Sequence, residues 1–464
     1  MTATTAPLIL LAASVAFVVV AVQWWRIHAF FALMLAALLV GITAALIRPG
    51  AGGAVGAVET AVAAMGAACG KIAFPIALAA IIGVCLMESG AADKIVRRCV
   101  AVFGEKRTDV ALLASGFVLA IPVFFDTVFF LLVPLARALA RRTGRNYLLY
   151  LMAMCGGGVI THSTVPPTPG PLIVAEMLRL DLGVAILGGI ACGLVPAGLA
   201  LLLAHWLNAR TPIPLRESLV AAAPATDWSA RPESDLPAFL PAILPVALPV
   251  LLIGGASFLA LARPAGAAAG WWAVAEFLGN KNVAMLLGTM VAVAVLMRTR
   301  GRRLGELADT LASPLETAGV IILITSAGGA YGAMIQNAGL GEAVRNLAEG
   351  RHLNLVLLAW LLAMVIRVAQ GSATVAMITA TGIIQSIAAG GPLGCHPFYL
   401  YLAIGYGSFF LSWMNDSGFW VVGRMGGLTE RETLRTWSVL LSILSVAGLG
   451  QALLLSSFWP FPFR

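Results

Sequence analysis

The chain has 464 residues, of which 60% are apolar and only 11% charged, where a soluble domain carries about 25% charge. That balance excludes a soluble globular protein, and it excludes intrinsic disorder, which needs low hydrophobicity with high charge. The net charge of +8 would suggest nucleic acid in a soluble chain, but here Lys and Arg stand in short clusters between apolar runs. That is the pattern of cytoplasmic loops, so the expected surroundings are a lipid bilayer, with no nucleic-acid partner.

In chain order, apolar runs long enough to cross a hydrocarbon core predict spans at 7–25, 28–47, 72–90, 147–175, 182–207, 237–262, 283–298, 314–336, 398–423 and 437–459. The first run has no basic residues before it and continues to full length, so it reads as a membrane helix and not as a cleaved signal. Residues 51–70, rich in Gly and Ala, are expected to form a short interfacial or packing helix. The one long polar stretch, 208–236, reads as a cytoplasmic linker between two halves. Trp24, Trp25, Trp271 and Trp272 suit an interfacial belt, and Glu88 and Glu176 suit structural positions near helix ends. The cysteines Cys69, Cys85, Cys99, Cys155, Cys192 and Cys395 include no CxxC pair and read as small buried hydrophobes, with no metal site.

Four basic clusters fix the orientation. They are Lys94, Arg97, Arg98, Lys106 and Arg107; Arg137, Arg141, Arg142 and Arg145; Arg298, Arg300, Arg302 and Arg303; and Arg424, Arg431 and Arg435. The positive-inside rule puts all four in the cytoplasm. Residues 108–136 must then leave and return within 29 residues, whereas two full crossings need about 40. A re-entrant hairpin near 108–136, with its tip at IPVFFDTVFF buried in protein, meets that constraint. Residues 353–390 form a second apolar hairpin with the tip RVAQGSATV at 367–375. Its flanks carry only Arg345, Arg351 and the uncharged AGGPLGCHP of 389–397, which puts it on the outer side, pointing the opposite way. Gly83 with Gly332, Gly90 with Gly339, Asp93 with Glu342, Gly158 with Gly407 and Ser163 with Ser412 share one offset of 249. Duplication with opposed orientation is the signature of inverted repeats in secondary transporters.

Two interrupted spans face the hairpins: GGGVITHSTVPPTPGPL at 156–172 and GYGSFFLSWMNDSGFW at 405–420. Prolines and glycines release backbone groups at membrane depth, which is tolerated only where the backbone is buried or lines a cavity. Half-helix N-termini there offer N–H groups and a positive dipole end to a carboxylate. Ser163, Thr164, Thr168, Ser372, Thr374, Asn415 and Ser417 add short polar groups suited to a small hydroxylated anion. Hydroxyls in membrane helices also commonly bond their own i−4 carbonyl or join helices. Arg367 fits a carboxylate through its planar fork, or an internal ion pair with an Asp. His162, beside a break, suits either a structural donor or a role with proton or substrate. Asp126 and Asp416 are set apart by cost, since a mid-membrane carboxylate requires about 2.5–3.5 kcal/mol on insertion scales. There is no P-loop, HExxH, GxSxG or Cys/His cluster, so neither an enzyme nor a cofactor is expected.

THSTVPPTPGPL (161–172), RVAQGSATVAMITATG (367–382) and NDSGFW (415–420), with FFDTVFFLLVPLARALARRTGRNYLLY (124–150) and GGAYGAMIQNAGLG (328–341), resemble signature stretches of the gluconate permease family of proton symporters. Thr168 stands where that family commonly carries His after the paired prolines. The resemblance implies proton-driven import of gluconate or a related sugar acid or hydroxy-carboxylate across a bacterial inner membrane. It also implies kinship with dimeric elevator-type transporters having a scaffold and a moving transport domain. On that basis 1–70 and 237–313 are scaffold helices, 71–207 is the first repeat, 208–236 the linker, and 314–464 the second repeat.

The fold expected is therefore all-α and polytopic, with two inverted repeats that each carry a re-entrant hairpin and a broken helix. Arg367 and the helix N-termini near Ser163 and Ser417 are expected at the carboxylate. Ser372, Thr374, Asn415 and Thr168, with His162 and Thr164 alongside, are expected at the hydroxyls, and Asp126, His162 and Asp416 are candidates for the coupling proton. Sodium coupling on the same fold, a membrane subunit of an ion-pumping decarboxylase and a passive channel remain the alternatives.

Overall fold

The computed structural model describes residues 5–47, 53–104, 107–143, 146–211, 213–216, 232–262, 270–301, 305, 307–338, 354–389, 395–414 and 416–458. Asn415, Arg48, Lys106, Arg145, Arg302, Arg303, Arg345 and Arg351 lie outside these residues, as do Gly339, Glu342 and most of 389–397. Within them every regular element is helical. This follows from the solvent, because in hydrocarbon a lone segment satisfies its backbone only as a helix. Among the described residues, eight helical stretches are long and apolar enough to cross a membrane.

The first elements are α1 (Thr5–Gln23), α2 (Ala29–Ile47) and α3 (Gly53–Ser89). Here the sequence expectation needs correction. Residues 51–70 do not form a separate short helix, because α3 runs as one helix of 37 residues through Pro75. Its Ala-rich first half has the highest helix propensity and nothing in it stops the helix. The amphipathic α4 (Ala91–Phe103) follows after Gly90.

The first hairpin is α5 (Thr108–Leu119), a turn over 120–124, and α6 (Phe125–Thr143). With 12 residues, α5 rises only about 18 Å, well short of the ~30 Å hydrocarbon core. Beside it stands the first interrupted span: α7 (Tyr147–Thr164), a break over 165–168, and α8 (Pro169–Met177). Every residue of α7 is buried except His162, as expected for a helix apolar on all sides inside a larger protein. Glycines let α5 and α7 touch. A Cβ on Gly157 would stand 2.2 Å from the Leu113 carbonyl oxygen, and one on Gly116 would stand 2.4 Å from that of Met154.

The chain then continues through α9 (Leu182–Arg210), α10 (Phe239–Ala262), α11 (Gly270–Gly279), α12 (Lys281–Arg300) and α13 (Leu307–Asn337). Helix α9 extends into the start of the stretch read as linker. The described ends of that stretch are anchored by charge. Glu233 receives Lys94 and Arg97, whose hydrogen bonds, Lys94 foremost, hold its carboxyl below the ordinary value. Arg216 makes a fork on Glu432, at 2.6 and 2.8 Å. Glu176 pairs with Lys281, a structural role as expected.

The second hairpin is α14 (Leu355–Gln370), Gly371–Ser372, and α15 (Ala373–Ala389). Gly371, at φ 84°, takes the left-handed turn between the two arms, a conformation that favours glycine. The second interrupted span is α16 (Pro397–Gly407), a break over 408–416, and α17 (Ser417–Gly426). A short α18 (Glu430–Thr433) passes through a π turn at Leu434–Ser438 into α19 (Val439–Phe458). Helix α13 packs along α2, α3 and α15, and α15 in turn meets α8.

Overpacking a tight helix contact costs about 1–3 kcal/mol. Gly157→Val is therefore expected to lower the thermal midpoint of the detergent-purified protein clearly. Gly198→Ala, where a Cβ meets nothing within 4 Å, should leave that midpoint unchanged in the same scan.

Candidate functional site

Both breaks release backbone carbonyls, and the structure accounts for them. After α7 the chain turns extended at Val165, with a cis bond between Pro166 and Pro167. The Thr168 hydroxyl donates to the carbonyls of His162, at 3.0 Å, and Val165, at 2.7 Å. Tyr401 on α16 donates to that of Thr164 at 2.7 Å. Thr164 donates its own hydroxyl to Ile160 four residues back, at 2.7 Å. Thr168 and Tyr401 thus serve the break while Thr164 bonds back into its own helix, and neither threonine is among the residues that line the cavity described below.

The second break centres on Asp416. One carboxylate oxygen caps α17 by accepting from the Gly418 N–H at 3.1 Å. The other accepts from Arg367 and from the Ser412 hydroxyl. Trp437, at the π turn, donates to the Ser412 oxygen at 2.7 Å. Arg367 is 4% exposed and also donates to the Gly371 carbonyl, while its Nε has no partner. One charge cluster therefore ties the second hairpin tip to the second broken helix. Of the two sequence readings for Arg367, the internal ion pair is present, and a donor is left over.

These elements enclose a cavity of about 600 Å³, within the usual range for small-molecule sites. The first hairpin contributes Phe124, Asp126 and Thr127; the first broken helix contributes Val159, His162, Ser163 and Pro169. The second hairpin contributes Arg367, Ser372 and Thr374; the second broken helix contributes Phe409, Asp416, Ser417 and Gly418. His162, the one residue of α7 that is not buried, faces this space, and its Nδ1 has no hydrogen-bond partner. The Ser372 hydroxyl caps α15 by accepting from the Val375 N–H at 3.3 Å. Asp126 receives no hydrogen bond from the described residues, in contrast to Asp416.

Sequence reasoning did not single out several other wall residues: Thr127 on α6, Thr317, Ile321 and Ile324 on α13, Trp437 in the π turn, Leu441 just after it, and Phe124. The i, i+4, i+7 spacing of the α13 residues marks one helical face, but in a helix this apolar the signal is lost among equals. Phe124 sits within the tip quoted above, yet nothing in sequence separates it from Phe125, which stacks on Trp437 with ring centroids 5.4 Å apart.

A helical membrane protein in which two short-armed hairpins meet two broken helices around a polar cavity belongs to the class of solute transporters. The description GntP family permease matches residues 6–458, and the chain belongs to that family. A gluconate permease of Pseudomonas aeruginosa is 34% identical over 446 residues, covering 94% of this chain and 95% of the relative. An inner membrane permease of Escherichia coli K12, YgbN, is 31% identical over 430 residues, covering 91% and 92%. Among solved structures, the YdaH transporter of Alcanivorax borkumensis superposes with a TM-score of 0.65 at 18% identity, covering 93% of this chain and 99% of its own. That similarity carries the fold. The protein is thus a permease and not an enzyme, and lies as a multi-pass protein in the bacterial inner membrane.

Removing one partner of a buried ion pair costs about 3–5 kcal/mol. Arg367→Met and Asp416→Asn should each lower stability by that order and abolish transport. The double variant should cost at least ~1 kcal/mol less than the sum, as for residues in direct contact. Chemical denaturation in detergent measures the cycle.

Proposed function

We propose that this protein is a proton-coupled symporter importing gluconate or a closely related small sugar acid or hydroxy-carboxylate. The observation that carries the reading is the chemistry of the cavity. A buried guanidinium with an unused N–H stands beside the N-terminus of α17, which suits a carboxylate. Ser163, Ser372, Thr374 and Ser417 along the wall suit hydroxyls. The name of the Pseudomonas relative supports gluconate as the substrate to try first.

Charge bookkeeping in the cavity supports the proton. Arg367 and Asp416 cancel each other, so Asp126 decides the net charge that an entering anion meets. Ionised, it repels a carboxylate; protonated, it does not. Proton and anion then favour the same state and each raises the affinity of the other by one common factor. In this reading Asp126 is the coupling carboxylate, His162 orients substrate through its open nitrogen, and Asp416 holds Arg367 in place.

Two inverted repeats and an elevator-like motion are part of the same proposal. Contacts at the face that the positive-inside rule makes cytoplasmic support the weave. Tyr147, at the start of α7, donates to the Gly426 carbonyl at the end of α17, at 2.8 Å. His205 near the end of α9 meets Asp109 at the start of α5, at 2.7 Å. The arms of the first hairpin and both half-helices that point away from the second thus share one side. A homodimer, as the family resemblance implies, completes the proposal.

The test is uptake of labelled gluconate into proteoliposomes of purified protein, with an inward proton gradient and no sodium. Accumulation above the outside concentration, collapsed by a protonophore, is the expected result. Asp126→Asn should keep gluconate exchange within about threefold while losing the pH-driven accumulation, since only the coupling step is removed. Undiminished accumulation by Asp126→Asn, or accumulation that requires sodium, would overturn the assignment.

A further inference from the structure

A second cavity of about 520 Å³ lies against the first. The two share three wall residues, Phe124, Thr127 and Thr317. Its near wall is the first hairpin tip, where Pro122 and Val123 precede Phe124. Its far wall is formed by Met87 and Glu88 at the end of α3, and Asp309 and Thr310 at the start of α13. The Glu88 carbonyl accepts from Arg300 Nε at 2.7 Å, so this wall stands level with the basic cluster that closes α12. By the positive-inside rule that level is cytoplasmic. The second cavity therefore extends from the central site toward the cytoplasm.

Phe124 occupies the boundary. It is half-buried, and its ring meets that of His162 edge-on with centroids 6.4 Å apart. It lies on the turn between α5 and α6, so no helical neighbours four residues away confine its ring on both sides. We infer that the second cavity is the cytoplasmic vestibule of the transport path, and that the Phe124 ring is the partition a substrate must displace to pass between the two spaces. The inference rests on the central cavity being the substrate site.

The chemistry of the two spaces differs in a way that suits this path. The central cavity offers an anion the guanidinium of Arg367, set beside Asp416 and Asp126, whereas the described wall residues of the vestibule include the carboxylates Glu88 and Asp309 and neither Lys nor Arg. The ring also separates His162 from that space, so its position decides whether the open nitrogen of His162 faces substrate or vestibule water.

The test uses the full chain with its six native cysteines replaced and one cysteine added, in membrane vesicles of known orientation. Thr310→Cys should react with a membrane-impermeant maleimide offered at the cytoplasmic face and not at the outer face. Ile324→Cys, in the central cavity, should react slowly from the cytoplasmic face. Adding Phe124→Ala should speed that reaction about tenfold, by removing a gating barrier of that order, without changing the rate at Thr310→Cys. Phe124→Leu, the variant closer in size, should give an intermediate rate and serves if the alanine variant does not fold. Labelling of Thr310→Cys from the outer face overturns the vestibule, and an Ile324→Cys rate indifferent to both Phe124 substitutions overturns the partition. Because labelling does not depend on substrate identity, this pattern without gluconate uptake would sink only the substrate reading. Gluconate uptake without the pattern would sink only this inference.

Discussion

The buried pair of Arg367 and Asp416 is the interaction on which the centre of the molecule depends. In hydrocarbon a lone charge is too costly to keep, and a pair is tolerable only when its remaining donors and acceptors are also satisfied. Asp416 meets that condition by receiving Arg367, Ser412 and the first turn of α17 at once. One carboxylate thereby fixes three things: the angle at which the second hairpin tip approaches, the start of the half-helix, and the position of the π turn behind Ser412. Satisfying the pair by protein groups still leaves Arg367 Nε buried without a hydrogen-bond partner.

The first half solves the same problem without charge. Its break is closed by Thr168 and Tyr401 on the carbonyls that proline cannot let a helix satisfy. The two halves therefore bring different resources to one cavity. The first brings a carboxylate with no donor among the described residues and a histidine with an open nitrogen. The second brings a neutralised guanidinium and two helix starts. Two such unlike halves give the cavity walls of different chemistry on its two sides.

Much of this was legible in sequence because membranes restrict the options so strongly. A cluster of prolines and glycines inside an apolar run marked the first break, the polar Asn415, Asp416, Ser417 and Gly418 marked the second, and the shortness of the segment between two basic clusters marked the first hairpin. The roles of individual hydroxyls were less legible. Thr164 and Thr168 have the same composition signal as Ser163, and only the chain path shows that the threonines serve carbonyls while Ser163 lines the cavity. The continuity of α3 was hidden for a related reason. Glu59, Lys71 and the glycines of 53–70 interrupt the apolar run, yet none of them ends the helix.

The length of α3 has a consequence for how the protein sits in its bilayer. Its 37 residues rise about 55 Å, and the 31 residues of the α13 packed along it rise about 46 Å. Both exceed the ~30 Å of hydrocarbon, so they project beyond it or lean steeply. The lean of such a pair answers to the thickness of the surrounding lipid. Because α13 carries Thr317, shared by both cavities, hydrophobic mismatch bears on the wall common to the two cavities. Lipid chain length thereby reaches the interior of the protein and not only its surroundings.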